Sequence, residues 1–146
     1  MLEPHGGRLV SRLASGEKAA ALEAEARELP VIPLNPFEVS DLEMLAIGAF
    51  SPLEGFMGSA DYARVISDKR LANGLPWTLP VTLAVDKDTA DSLKKVSRAA
   101  LADPSGKLLA VLEIQDVFRY DREAEAVAVF RTANDDHPGA RYVASR

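Results

Sequence analysis

Apolar residues in this chain fall into short blocks, and their spacing predicts the elements. Residues Glu17 to Glu28 are alanine-rich, with Leu22 the one large apolar side chain. This reads as a helix packed lightly on a surface. Ser15 is placed to cap it, Glu17 suits its first turn, and Glu23 and Arg27 form an i,i+4 pair. Leu29-Pro30-Val31-Ile32-Pro33-Leu34 is apolar, but its prolines force an extended path. Asp41 to Ile47 places Leu42, Leu45 and Ala46 on one face. Ser40 with Glu43 makes a capping box, Val39 with Met44 a hydrophobic staple, and Gly48 a stop. Ala60 to Ala72 predicts a third helix, capped by Ser59 and ended by Asn73-Gly74, with Tyr62, Val65 and Ile66 as its inner stripe.

The period then changes to two. Leu79, Val81, Leu83 and Val85 alternate through Thr78 to Val85, a half-buried strand that Pro80 confines to an edge or a strand start. Asp86 or Asp88 caps a short helix reaching Leu93. Val96 to Ala102 and Lys107 to about Phe118 read as strands joined by a type I turn, Asp103-Pro104-Ser105-Gly106. Leu108, Ala110, Leu112 and Ile114 share a face. Asp121 caps a helix through about Phe130. The tail from Thr132 to Arg146 is polar, with a turn at His137-Pro138-Gly139. Strands and long helices do not interleave regularly, so a doubly wound sheet is disfavoured. The expected class is α+β, a small partly closed barrel with helices around it.

Composition narrows the function classes. The chain has 146 residues, 47% hydrophobic and 27% charged, which suits one folded domain with its own core. It has no cysteine, so disulfides, thiolate nucleophiles and Cys-ligated zinc are excluded. That absence fits a cytoplasmic protein. Seventeen basic against twenty-two acidic residues give a net charge of −5. No Lys or Arg lies between Glu28 and Arg64. This acidity opposes binding to a phosphate backbone. No apolar run has the length of a membrane span, and the N-terminus lacks the pattern of a signal peptide.

Local chemistry is sparse. Ser105-Gly106-Lys107 is the nearest fragment to a phosphate-binding loop, but Leu101 and Leu108 stand where that motif needs glycine and Ser or Thr. No dinucleotide-binding glycine loop or nucleophile elbow is present. His5 and His137 are too far apart in sequence to form a local metal pair. Asp135-Asp136 and Glu123-Glu125 read as solvated or helix-start carboxylates. The unusual stretch is Gly48 to Gly58, a turn-rich loop carrying Phe50, Leu53, Phe56 and Met57. A loop this apolar must fold onto its own core or meet a partner.

The segment from Ser40 to Gly58, SDLEMLAIGAFSPLEGFMG, closely resembles the N-terminal domain of ATP sulfurylase (sulfate adenylyltransferase). Pro4-His5-Gly6-Gly7-Arg8, Arg70-Leu71-Ala72-Asn73-Gly74, Trp77 to Leu83, Leu101 to Gly106 and His137-Pro138-Gly139 agree in order and spacing. The resemblance covers nearly the whole chain and implies a single PUA-like domain over residues 1–146, a β pseudo-barrel with surrounding helices. It also implies an enzyme family that joins sulfate to ATP, giving adenosine 5′-phosphosulfate and pyrophosphate, with ATP and magnesium as its expected cofactors. The family's Gln-x-Arg-Asn, His-x-x-His and Gly-Arg-Asp stretches, which hold ATP and sulfate in a following domain, do not occur here. The resemblance thus transfers no catalytic, cofactor or metal residue to this chain. It implies a non-catalytic module whose partner is its own missing catalytic domain. His5, Arg8, Phe50, Leu53, Phe56 and Met57 are the expected interdomain contacts, and the full-length form is expected to be able to form a homo-oligomer. The alternative is a PUA-like nucleic-acid-binding or stand-alone interaction module.

Overall fold

The computed structural model describes residues 3–146. Its elements in chain order are α1 (Gly16–Ala26), β1 (Val31–Pro33), α2 (Pro36–Ile47), α3 (Ser59–Asp68), α4 (Lys87–Leu93), β2 (Arg98–Ala102), β3 (Leu108–Glu113), α5 (Arg122–Phe130) and α6 (Pro138–Ser145). The chain divides into two compact units. One runs through Phe56 and includes Asp86–Gln115; the other combines Met57–Val85 with Asp116–Arg146. The charge divides unevenly between them. The first holds nine basic and fourteen acidic residues, the second eight of each, so the whole net charge of −5 resides in the first.

The first unit is built on a three-stranded sheet in the order β1-β2-β3. β1 lies parallel to β2, with Ile32 opposite Leu101, and β2 is antiparallel to β3. Ile32, Ala99, Ala100 and Leu101 are fully buried. Two adjacent alanines in the central strand let neighbouring elements come close on both faces. The hairpin turn forms as its sequence requires. Gly106 N–H donates to the Asp103 carbonyl at 2.9 Å, and the Asp103 carboxylate accepts from Ser105 and Lys107 N–H. Those bonds, led by the one from the Ser105 side chain, hold the Asp103 carboxyl below the usual carboxylate range. Arg98 ties the sheet to α1 through ion pairs with Glu25 and Glu113. The pairings among the described residues form an open sheet of three strands.

Helix α2 corrects its expected boundary. It begins at Pro36, five residues before Asp41, because Asn35-Pro36 is a stronger start than Ser40. The Asn35 side chain accepts from Phe37 and Glu38 N–H, and the Glu38 carboxylate accepts from Asn35 N–H at 2.9 Å. The capping box is therefore Asn35–Glu38. Ser40 and Val39 lie inside the helix, so neither the expected cap nor the staple forms. Gly48 ends the helix at φ 83°, as expected, and a Cβ there would lie 2.8 Å from Leu9 Cδ1 and 3.0 Å from the Val10 carbonyl oxygen.

The second unit departs further from expectation. Helix α3 stops at Asp68 because Lys69 turns left-handed at φ 58°, so Leu71 to Gly74 is a turn rather than helix. Lys69 Nζ donates to the carbonyls of Ile66 and Ala128, placing a cation at the C-terminal ends of α3 and α5. Ser59 is the first helical residue, not the cap. Asp116 takes the capping role from a distance, its carboxylate accepting from Ser59 N–H at 2.7 Å. That bond holds the Asp116 carboxyl below its ordinary range. The expected strand Thr78–Val85 does not form. Pro80 offers no N–H, Leu79 is exposed, and Met57 N–H donates to the Val81 carbonyl at 2.8 Å. Asp121 caps α5 as expected, accepting from Ala124 N–H.

The polar tail contains helix α6. His137, expected to be a turn residue, is its N-cap: Nδ1 accepts from Gly139 N–H at 3.2 Å and Ala140 N–H at 3.4 Å. Ala126, Ala140, Val143 and Phe130 form the contact between α5 and α6. A Cβ at Gly139 would fall 2.4 Å from Phe130 Cζ and 2.5 Å from Cε1, well inside van der Waals contact. The ring itself stacks on His137 at 4.9 Å. Gly139→Ala is therefore expected to destabilise the protein by about 1–3 kcal/mol through overpacking, read as a lower midpoint in urea unfolding.

Candidate functional site

Two clusters stand out, one in each unit. In the first, the segment from Arg8 to Arg12 is stitched along the α2 C-terminus and the loop after it. Val10 N–H donates to Ser51 Oγ at 2.9 Å, and Ser51 Oγ donates to the Gly48 carbonyl at 2.6 Å. Arg12 N–H donates to the Ala46 carbonyl at 2.8 Å. Glu54 receives both flanking arginines, Arg8 at 2.8 Å and Arg12 at 3.2 Å. Each of these charges is exposed, so the pairs orient the segment more than they stabilise it.

This geometry sorts the expected contact residues. His5 and Arg8 are exposed, and Phe50 and Phe56 are half-buried. Leu53 and Met57 are buried within the described residues. The loop is apolar largely because it supplies core. Exposed apolar surface lies instead on Leu9, Leu13 and Ile47, which the loop's composition did not single out.

The second cluster is buried and charged. Glu125 on α5 is 2% exposed, and the Arg146 side chain 7%. Arg146 Nη1 lies 3.5 Å from Glu125 Oε1, and Nη2 donates to Thr82 Oγ1 at 2.7 Å. Its guanidinium sits over the rings of Tyr120 and Tyr142, 5.2 and 5.6 Å from their centroids. Tyr62 Oη donates to Glu125 Oε2 at 2.9 Å. Burial, reinforced by the Glu125 charge, pushes the Tyr62 phenol well above its ordinary value. Sequence reading placed Tyr62 in an apolar stripe and Arg146 in a polar tail. Nothing in their spacing joins them.

A raised phenol value makes stability depend on alkaline pH. The unfolded chain loses the Tyr62 proton near pH 10, while the folded chain keeps it longer. The stabilisation is thus complete below pH 10 and is lost as pH rises towards the folded value. Ultraviolet absorbance titration is expected to resolve a tyrosine that ionises above the ordinary range, and Tyr62→Phe is expected to remove that step.

The second unit also holds a shallow cavity of about 310 Å³, lined by Arg122, Glu123, Ala126, Ala133, Ala140 and Ala144. Among the described residues, no group of three or more His, Asp or Glu side chains is arranged to hold a metal ion. No helix among them is long and apolar enough to cross a membrane.

Comparison with known proteins places these features. A family model described as a PUA-like domain matches residues 2–146. A probable bifunctional SAT/APS kinase 2 of Sorangium cellulosum (strain So ce56) is 49% identical over 145 residues, covering 99% of this chain and 25% of the relative. A sulfate adenylyltransferase of Synechococcus sp. (strain JA-3-3Ab) is 49% identical over 140 residues, covering 96% of this chain and 36% of the relative. The chain thus spans about a quarter to a third of the length of these curated relatives. Among solved structures, the hexameric APS kinase from Thiobacillus denitrificans matches with a TM-score of 0.70 and 42% identity, covering 82% of this chain and 24% of that one.

Proposed function

Because the chain belongs to the PUA-like domain family, we propose that it is the N-terminal, non-catalytic module of a sulfate adenylyltransferase. The observation that carries this reading is the Synechococcus relative. Near-half identity runs through almost the whole chain yet accounts for only 36% of that enzyme. The whole enzyme would join ATP and sulfate into adenosine 5′-phosphosulfate and pyrophosphate in a domain outside these residues, where ATP and magnesium are expected. The match spans both compact units, which supports treating residues 1–146 as one PUA-like domain. The same reading takes the three-stranded sheet as part of a pseudo-barrel.

Charge supports the non-catalytic role. Transfer at a phosphate needs several cations aimed at the developing charge. The cavity presents one arginine beside a glutamate, over alanine methyl groups. The buried Arg146 is already engaged by Glu125 and Thr82. The module's work is then contact with the rest of its enzyme. His5, Arg8, Phe50 and Phe56 supply that contact, with Leu53 and Met57 supporting it from within. The full-length form is an oligomer in this reading, as the Thiobacillus neighbour is described to be. A pyrophosphate-release assay of the isolated chain with ATP, magnesium and sulfate is expected to show no turnover. Turnover above the uncatalysed background would overturn the non-catalytic reading.

A further inference from the structure

Helix α6 is held by few apolar contacts. Ala140 and Val143 are its buried residues, and they pack with Ala126 and Phe130 of α5. Its C-terminal end has a different anchor. Arg146 is the C-cap residue, and its side chain is buried. Four segments of the second unit meet that side chain. Glu125 comes from α5, Thr82 from the segment after α3, Tyr120 from the stretch leading into α5, and Tyr142 from α6 itself. These contacts are poor ones for stability alone. The ion pair is 3.5 Å long, and Arg146 Nε and Tyr120 Oη are buried with no hydrogen-bond partner among the described residues. Each such group costs free energy. Replacing a buried ion pair by apolar side chains of similar volume is often neutral or stabilising. What the arrangement does supply is a fixed place. A planar guanidinium held between an acid, a hydroxyl and two ring faces keeps one orientation. Held so at the C-cap, it fixes where the backbone leaves the helix.

We infer that Arg146 is a positioning residue for sulfate adenylylation: it locks the C-terminal end of α6 and so sets the course of the chain into the domain that does the chemistry. The inference rests on the N-terminal-module reading above, in which most of the enzyme lies beyond the matched 36% of its length. Reacting groups tolerate little displacement, and a shift of about 1 Å from a remote change can cost about a hundredfold in rate. Arg146 acts through the direction of the chain, not through contact with ATP or sulfate.

The test uses a full-length enzyme in which this chain replaces the matching stretch of the Synechococcus sulfate adenylyltransferase. Glu125→Gln combined with Arg146→Met removes the anchor without stranding a charge, and the amide oxygen still accepts from Tyr62. The double variant is expected to lower kcat at least about fivefold while KM for ATP and sulfate stays within about twofold, since the residues that hold them are untouched. Amide exchange in the residues just after Arg146 is expected to quicken at least about tenfold, with exchange in β2 unchanged. Tyr62→Phe removes a hydrogen bond from the same cluster but leaves every contact of Arg146, and is expected to keep the parent kcat. An active parent whose double variant loses less kcat than that, or exchanges no faster after Arg146, would overturn the inference and leave the module reading intact. So would a Tyr62→Phe variant that loses as much kcat as the double variant. A parent chimera with no activity would contradict the module reading and this inference together.

Discussion

Glu125→Ala is expected to lower stability by about 3–5 kcal/mol, the cost of removing one partner from a buried ion pair. The change strands Arg146 with its charge and deprives Tyr62 Oη of its acceptor. Thr82 would remain as the guanidinium's hydrogen-bonding neighbour. Domains of this size have about 5–15 kcal/mol in total, so the variant would sit close to unfolding at room temperature. Glu125→Gln keeps an oxygen for Tyr62 but removes the charge and turns an amide NH2 toward Arg146. Its expected cost is smaller, about 1.5–3 kcal/mol. Urea unfolding of the two variants separates these terms. Equal costs would mean that the oxygen retained for Tyr62 contributes little beside the lost charge pairing with Arg146.

The second large effect lies in the other unit. Leu101 is 1% exposed in the central strand, opposite Ile32 on β1 and Ala110 on β3. Leu101→Ala is expected to cost about 2–5 kcal/mol, the lost transfer energy of the side chain plus the cavity left behind. The neighbours in sequence, Ala99, Ala100 and Ala102, are already small and have no methylenes to move into the space. A loss below about 1 kcal/mol in urea unfolding would show that the site collapses freely, against the packing described for β2.

Local chemistry was legible wherever one side chain and the adjacent backbone decide the outcome. Asp86, Asp121, Gly48 and the turn at Asp103–Gly106 behave as their residue types require. Two nearby signals in competition were harder to rank. Ser40–Glu43 is a sound capping box by pattern, but Asn35 with Pro36 and Glu38 offers both a cap and a preset first turn. The alternation at Thr78–Val85 gave a false strand: Leu79 of the expected inner face is exposed, adjacent Val81 and Thr82 are both buried, and Pro80 has no N–H to give to a ladder. Helix α6 hid in a polar tail because only Ala140 and Val143 of its residues are buried.

Loop composition pointed to Leu53 and Met57, which the fold consumes as core. Leu9 and Leu13 look ordinary in sequence, and their exposure follows from inward bonds at Val10 and Arg12. The Glu125–Arg146 pair joins α5 to residues distant in sequence, including Tyr62 and Thr82. Spacing arguments have no purchase on such a contact.

The central claim is that this chain is an N-terminal module whose enzyme does its chemistry elsewhere. A chimera tests it most directly. The matching stretch of the Synechococcus sulfate adenylyltransferase, 49% identical over 140 residues, is replaced by this chain. Adenosine 5′-phosphosulfate formation is then measured beside the isolated chain. The account predicts an active chimera, within about tenfold of the parent enzyme, a barrier change of about 1.4 kcal/mol or less, and no activity from the chain alone. A chimera that folds but makes no product, or an isolated chain that makes it, would contradict the account.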